Sequence, residues 1–264
     1  MDSSARFISH RQTKQFSSLI LDYLDHKPMV RPFYSHETDL DGFRAAMEAR
    51  KAFPTNRPLL VDAFRRAYEG HAITPRQEEN LQRLLYDNTF TICTAHQPNI
   101  FSGYLYFVYK TVHAITLAEE LARNFPDAHF VPVFYIGSED NDLDELSQVN
   151  LDGQKLRWET KQTGAVGRMK VDKSLLALLE RIGGRVGVEP HGTELMAILR
   201  DAYREGDTIA HATFRLLNSL FASYGLLVLQ PDDRSLKQTM ITVFRNDLLE
   251  HLPHALVETA SRAL

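Results

Sequence analysis

The sequence holds a single cysteine, Cys93, in 264 residues. That excludes an intramolecular disulfide framework and a multi-cysteine zinc site, so no structural zinc is expected, and it suits a reducing cytoplasm. No apolar run approaches the roughly 20 residues a helix needs to span a bilayer. The start of the chain, Met1 to Arg6, lacks the apolar core of a signal peptide. The expectation is a cytoplasmic protein with no membrane contact. An excess of basic charge is missing too: 30 Lys and Arg stand against 34 Asp and Glu, for a net charge of −4. Nucleic acid is therefore not an expected partner. Neither a Gly-x-Gly-x-x-Gly fingerprint nor a P-loop occurs, which argues against a dinucleotide dehydrogenase or a Walker ATPase. Internal repeats and low-complexity linkers are absent as well.

What is present reads as an α/β protein. The length accommodates one large domain or a domain with appendages. Residues 1–88 show helical spacing, with Phe16, Leu19, Ile20, Tyr23 and Leu24 on one stripe and further helices near 43–53, 59–68 and 77–86. Arg11, Lys14, Arg31 and Arg57 lie among them, either on solvated faces or reaching an anionic ligand. Residues 89–150 form the first half of the expected core. A β-prone run from Thr89 to Thr94 leads into a polar turn, then a helix begins near Tyr104 with Leu105, Val108, Val112, Ile115 and Leu121 as its apolar face. A second strand, Phe130 to Ile136, follows. Parallel strands need such a crossover, so both strands present their carboxyl ends to one rim.

Residues 151–205 read as an inserted α+β connecting segment. It has an Asp152-Gly153 hairpin signal, glycine punctuation at Gly183, Gly184 and Gly187, and a helix from Thr193 to Tyr203. Residues 206–252 restore the core, with a helix from Thr208 to Tyr224, a strand over 226–229 and a helix from Ser235 to Leu252. Residues 253–264 read as the start of a truncated helical region. The fold class is thus a Rossmann-like parallel sheet with flanking helices, an N-terminal helical segment packed on the core and the inserted segment.

Candidate functional residues gather at the strand ends. After the first strand come Thr94, His96, Gln97, Asn99 and Gly103; a helix start there would favour an anion. After the second come Ser138, Glu139, Asp140 and Asp142, within a run that packs five carboxylates into 139–145. A calcium hand starting at Asp140 would need glycine where Glu145 stands and a bidentate glutamate where Leu151 stands, so it is rejected. No metal-ligand set is assigned. Asp232 follows the third strand, and Lys110 could reach back from the helix, although a solvent-facing lysine is the plainer reading. Cys93 reads as a small buried strand residue, and Tyr104, Tyr106 and Tyr109 as helix packing. Arg157, Trp158 and Arg168 are weak candidates for a lid.

The block 94–110, Thr-Ala-His-Gln-Pro-Asn-Ile-Phe-Ser-Gly-Tyr-Leu-Tyr-Phe-Val-Tyr-Lys, together with 131–142, Val-Pro-Val-Phe-Tyr-Ile-Gly-Ser-Glu-Asp-Asn-Asp, resembles the cysteine-adding enzymes of bacillithiol biosynthesis, the BshC family. Leu117-Ala118-Glu119, Glu145, Arg157-Trp158, Tyr224-Gly225-Leu226 and Arg31-Pro32-Phe33-Tyr34 share the likeness. It covers essentially this whole chain and about the N-terminal half of the family's length; members continue into a helical coiled coil. The resemblance implies a ligase joining L-cysteine to glucosaminyl malate, with the cysteine carboxylate activated through ATP or another nucleotide, with Mg2+ as its companion. It implies His96 and Asp140 as catalytic residues, and Thr94, Gln97, Asn99, Gly103, Lys110, Ser138, Glu139, Asp142 and Asp232 as substrate- or nucleotide-binding ones. His96 would stabilise phosphate charge, and Glu139, Asp140 and Asp142 would hold ribose, a substrate amine or magnesium. Class I synthetase-like enzymes carry two histidines at the equivalent turn, whereas this chain has His96 alone. A homodimer is implied for the full-length protein. A Rossmann-like nucleotide-binding module, or a nucleotidylyltransferase acting on another small molecule, stays open as an alternative.

Overall fold

The computed structural model describes residues 6–264, apart from the side chain of Leu252. Contacts divide the chain into two compact units, with boundaries at Phe53/Pro54 and Thr239/Met240. One unit comprises the described residues up to Phe53 together with Met240–Leu264. It is helical, with Ser18–Leu24, Leu40–Lys51, Ile241–Glu250 and Leu252–Ala263 as its longer elements. Serine or aspartate caps the first two: Ser17 accepts from the amide of Ile20 and Asp39 from that of Gly42. The helix expected from Ser235 to Leu252 is broken into Arg234–Gln238, Ile241–Glu250 and the start of the next helix, and the second break falls at His251, which adopts φ 54°. Arg11 pairs with Asp22 and Asp25, and Arg31 with Glu37, so both cations are engaged locally.

The second unit, Pro54–Thr239, carries the sheet. It opens with α1 (Arg57–Ala67) and α2 (Pro75–Arg83), each with proline in its first turn. Strand β1 (Thr89–His96) follows, then α3 (Tyr106–Asn124) and β2 (His129–Ile136). β1 and β2 run parallel in a register that pairs Thr89 with His129 and His96 with Ile136. β5 (Leu227–Leu229) pairs with the other side of β2, also parallel, for a sheet order β1-β2-β5. All three strands therefore end at the same rim, as the apolar runs and crossover lengths predict.

Between β2 and β5 lies the inserted segment. A hairpin of β3 (Gln148–Leu151) and β4 (Gln154–Arg157) turns through Asp152 and Gly153, both at positive φ, the backbone a two-residue turn of this twist requires. Then come α4 (Lys173–Val186), α5 (Gly192–Ala202) and α6 (Ile209–Phe221). Gly183 and Gly184, read as punctuation, lie inside α4. At Gly183 a side chain would press on Met196 and Arg200 of α5, so the position serves helix–helix approach.

Two apolar clusters hold the unit. One fills the sheet layer with Phe64, Leu81, Phe107, Val131, Phe134, Phe214 and Leu227. The other fills the inserted segment around Trp158, Val166, Leu175, Leu199, Tyr203 and Leu216. Helix α6 serves both, so burying one helix on two sides joins the insertion to the sheet. Trp158 is 1% exposed and its indole N–H donates to Asp172 at 2.9 Å, so it is core and not lid. Arg57 is likewise structural: its guanidinium donates to the carbonyls of Leu84, Asp87 and Thr89, tying α1 to the start of β1.

Two expectations for the β1–α3 stretch are corrected. The buried face of α3 is Phe107, Thr111, Ala114, Ile115, Ala118 and Leu121, while Leu105 and Val112 face solvent. A small-residue stripe lets α3 lie close to β1 and β2, which a count of large side chains overlooks. Cys93 is exposed, not buried. β1 is an edge strand, and Thr91, Cys93 and Ala95 share its open face.

Candidate functional site

The turn after β1 is longer and more constrained than a strand running straight into a helix. α3 begins at Tyr106 after a 3-10 turn over Ile100–Ser102, so the helix start does not sit at His96. Phe101, Ser102 and Gly103 take φ values of 52°, 71° and 59° in succession. Left-handed backbone costs a non-glycine residue about 1–2 kcal/mol, so the turn needs external support. Tyr203 at the end of α5 supplies it. Its fully buried hydroxyl accepts the Phe101 amide at 2.7 Å, and its ring meets Phe101 edge-on at 4.8 Å. Gly103 is required by space: a Cβ there would lie 2.6 Å from that of Asn99. Its role is to seat Asn99, and Asn99 is 1% exposed with neither amide atom hydrogen-bonded.

His96 sits at the carboxyl end of β1 with both ring nitrogens engaged. Nδ1 is 3.1 Å from the Gln97 carbonyl, which can only accept, so Nδ1 carries the proton. Nε2 then accepts from the Tyr106 hydroxyl at 2.9 Å. Tyr106, read from the sequence as packing, is exposed and holds the histidine, so contact between His96 and a ligand requires Tyr106 to turn away. Lys110 is solvent-facing yet reaches back: its ammonium donates to the Ala95 carbonyl at 2.7 Å. Thr94 lies half-buried two residues before His96 on β1.

The loops after β1 and β2 are joined directly. Gln97 donates its amide to Asp140 at 3.0 Å, and the His96 carbonyl accepts the Gly137 amide at 2.8 Å. The Asp142 amide donates to Asp140 at 2.9 Å. That backbone bond and the Gln97 amide hold the Asp140 carboxyl below its ordinary pKa, so it stays ionised well into acid. Asp142 turns away to cap the short helix Leu143–Leu146 through the Glu145 amide, a structural role. Ser138 is 2% exposed and its hydroxyl has no partner, although buried hydroxyls are nearly always paired. Its backbone is locked by Gly167, whose amide donates to the Ser138 carbonyl at 3.0 Å.

A crevice of about 250 Å3 lies here, lined by Gln97, Tyr135, Gly137, Ser138, Glu139, Asp140 and Pro231. It draws on the ends of β1, β2 and β5 together. A larger cleft of about 400 Å3 uses Arg66, Glu69, Thr208, His211, Gln230, Asp232 and Asp233. The two share the loop 230–233. Asp232 does not stand free: Arg168 donates to both its oxygens, at 2.6 and 2.8 Å, and Lys237 also reaches it. Lys237 bonds Glu139 as well, at 2.5 Å. Of the residues picked from the sequence, the structure brings Gln97, Ser138, Glu139 and Asp140 together in the crevice, with Asp232 beside them. It leaves Lys110 and Asp142 in local contacts, and Asn99 and Gly103 in the turn. Tyr106, Tyr135, Pro231, Tyr203 and Lys237 belong to this region without having been assigned to it, and Arg168, read only as a weak lid candidate, pairs with Asp232 there. Among the described residues, no group of three or more His, Cys, Asp or Glu side chains could hold a metal ion, and no helix is long and apolar enough to cross a membrane.

A parallel α/β sheet with a polar crevice across its carboxyl ends defines a Rossmann-like domain of the kind that takes small molecules at that rim. A family model described as bacillithiol biosynthesis BshC, N-terminal Rossmann-like domain, matches residues 5–264. The chain belongs to this family. It is 37% identical over 245 residues to a Flavobacterium psychrophilum protein named "Putative cysteine ligase BshC", covering 92% of this chain and 46% of that one. Proteins of the same name from Flavobacterium johnsoniae and Cytophaga hutchinsonii are 36% and 34% identical, over 95% and 99% of this chain and 48% of each relative. The chain thus spans about half the length of the curated relatives it matches.

Proposed function

We propose that the chain is the nucleotide-binding and carboxylate-activating part of a cysteine ligase that joins L-cysteine to glucosaminyl malate. The observation that carries the reading is the crevice at the ends of all three strands. There Gln97 and Asp140 are bonded across two loops, and the buried Ser138 hydroxyl waits without a partner. An orphaned hydroxyl in a polar crevice fits a ligand rich in acceptor oxygens, and a nucleotide is such a ligand. When bound, the nucleotide supplies the energy that turns a carboxylate into an electrophile.

The chain's own residues then divide as follows. Ser138 donates to a ligand oxygen. Asp140, kept ionised, accepts from ribose hydroxyls or a substrate ammonium. Gln97 fixes the Asp140 carboxylate in place. His96 positions the Tyr106 hydroxyl at the rim. The neighbouring 400 Å3 cleft gives room for a second substrate on the other side of the 230–233 loop. Among the described residues there is no preformed magnesium cage; an ion that arrives with phosphates and keeps much of its water needs none.

Calorimetric titration of this chain with a nucleotide panel tests the reading. We expect saturable binding of one nucleotide that Ser138→Ala and Asp140→Ala weaken while melting as wild type. Incubation with cysteine, glucosaminyl malate and that nucleotide, followed by mass, tests turnover by the chain and by a relative of full length. Binding without product by this chain alone fits catalysis that needs the other half of the relatives' length. Absence of nucleotide binding in both proteins would refute the reading.

A further inference from the structure

Four charged side chains from four separate segments converge beside the crevice. Glu139 comes from the loop after β2, Asp232 from the loop after β5, and Arg168 from the 3-10 turn Val166–Arg168 that follows the hairpin. Lys237 comes from α7 (Arg234–Gln238). Arg168 forks both oxygens of Asp232 and stands 3.9 Å from Glu139, and Lys237 bridges Glu139 and Asp232. All four remain partly exposed, so as a stabilising device the cluster contributes little: solvent-exposed pairs are worth about 0–1 kcal/mol. Its placement is what needs explaining. Glu139 lines the 250 Å3 crevice next to the unpartnered Ser138 hydroxyl, and Asp232 lines the neighbouring cleft.

We propose that Arg168 and Lys237 are the polyphosphate clamp of this site, held in place by Glu139 and Asp232 until phosphate oxygens take over the same donors. A planar guanidinium matches two phosphate oxygens as well as it matches a carboxylate, and an ammonium serves as the point charge beside it. The exchange conserves hydrogen bonds: each cation leaves a carboxylate for a phosphate. It also frees Glu139 and Asp232 next to the incoming negative charge. Two free carboxylates facing phosphate oxygens repel them unless a divalent cation stands between, and one or two carboxylates plus phosphates is the set Mg2+ favours. Polyphosphate and Mg2+ therefore bind together, and neither binds well alone. This deepens the nucleotide reading and rests on it for the identity of the ligand, though not for the clamp.

Two probes separate the two ideas: inorganic tripolyphosphate, and the nucleotide that binds most tightly, each titrated calorimetrically with and without Mg2+. Wild type is expected to bind both, at least about tenfold tighter with Mg2+. Arg168→Ala and Lys237→Ala should each weaken both probes by about tenfold or more, with Lys237→Arg restoring most of the loss. Asp232→Asn removes a competitor for the clamp, so Mg2+-free binding should tighten by severalfold while the Mg2+ enhancement shrinks. A cluster that merely staples two loops predicts the opposite, weaker binding in Asp232→Asn together with a lowered melting temperature, and would overturn the proposal. Wild-type affinity for tripolyphosphate in both alanine variants overturns it too. Tripolyphosphate binding without nucleotide binding would leave the clamp standing and remove the nucleotide reading; binding of neither removes both.

Discussion

Replacing Tyr203 by Phe removes one oxygen and leaves the ring, which tests the hydrogen bond that supports the turn after β1, together with the hydroxyl's bond to Thr213. Tyr203 is 1% exposed, and its hydroxyl accepts the Phe101 amide at 2.7 Å. A buried amide stripped of its acceptor costs about 1–3 kcal/mol. The amide belongs to a residue already in left-handed backbone, with Ser102 and Gly103 following in the same region, so the segment has little reason to stay once released. We expect Tyr203→Phe to destabilise the protein by about 2 kcal/mol, a fall of roughly 4–8 °C in melting temperature for a chain of this size. Hydrogen exchange should show more: the Phe101 amide loses protection while the β1–β2 amides keep theirs. Ser102→Gly, which relieves φ 71° at a half-buried position, should stabilise by about 0.5–1 kcal/mol. If Tyr203→Phe melts within about 1 °C of wild type and Phe101 exchange is unchanged, the hydrogen bond is not what holds the turn, and the reasoning from strain and support fails.

Other outcomes follow from close contacts and titrating groups. Gly167→Ala places a Cβ 2.4 Å from the Ser138 carbonyl oxygen and 2.5 Å from its Cβ, both backbone-anchored; we expect a loss of about 2–4 kcal/mol in a denaturant melt and a displaced crevice wall that weakens ligand binding. His71 and His211 approach through their Nε2 atoms at 2.8 Å, and burial, with Arg215 next, holds both below the ordinary histidine value of 6.5. The unfolded chain then binds more protons than the folded one as pH drops below 6.5. Stability is complete above that value and declines below it, and His211→Gln should flatten the decline between pH 7.5 and 5.5 in paired thermal melts.

The sheet was legible because its strands are short runs of apolar and β-branched residues closed by polar turns, and because the length between β1 and β2 permits only a crossover. The Asp152-Gly153 hairpin was legible from two residues. Elsewhere the signal was missing for physical reasons. The face of α3 was misjudged because close approach to a sheet selects Ala114, Ala118 and Thr111, which carry no hydrophobic weight. Cys93 was placed inside because an edge strand reads like a central one until its neighbours are known. α4 was hidden by Gly183 and Gly184, which serve helix packing and look like breakers. The rim residues split along the same line. Gln97, Ser138, Glu139 and Asp140 follow directly from strand ends, whereas Arg168 reads only as a weak lid residue and Lys237 reaches Glu139 from a segment 97 positions beyond Asp140 in sequence, where no local pattern points to it.

The loop at 230–233 is a wall with a face in each of two rooms. Pro231 lines the smaller crevice, while Gln230, Asp232 and Asp233 line the larger cleft. A ligand that shifts this wall to fit itself on one side changes the space and the charge offered on the other. Thermodynamic linkage makes any such effect mutual: whatever factor the first ligand imposes on the second, the second imposes on the first. Arg66 holds the wall from the side of α1 through Asp233, and Arg168 and Lys237 hold it through Asp232. The stiffness of those tethers sets how strongly occupancy in one room is felt in the other.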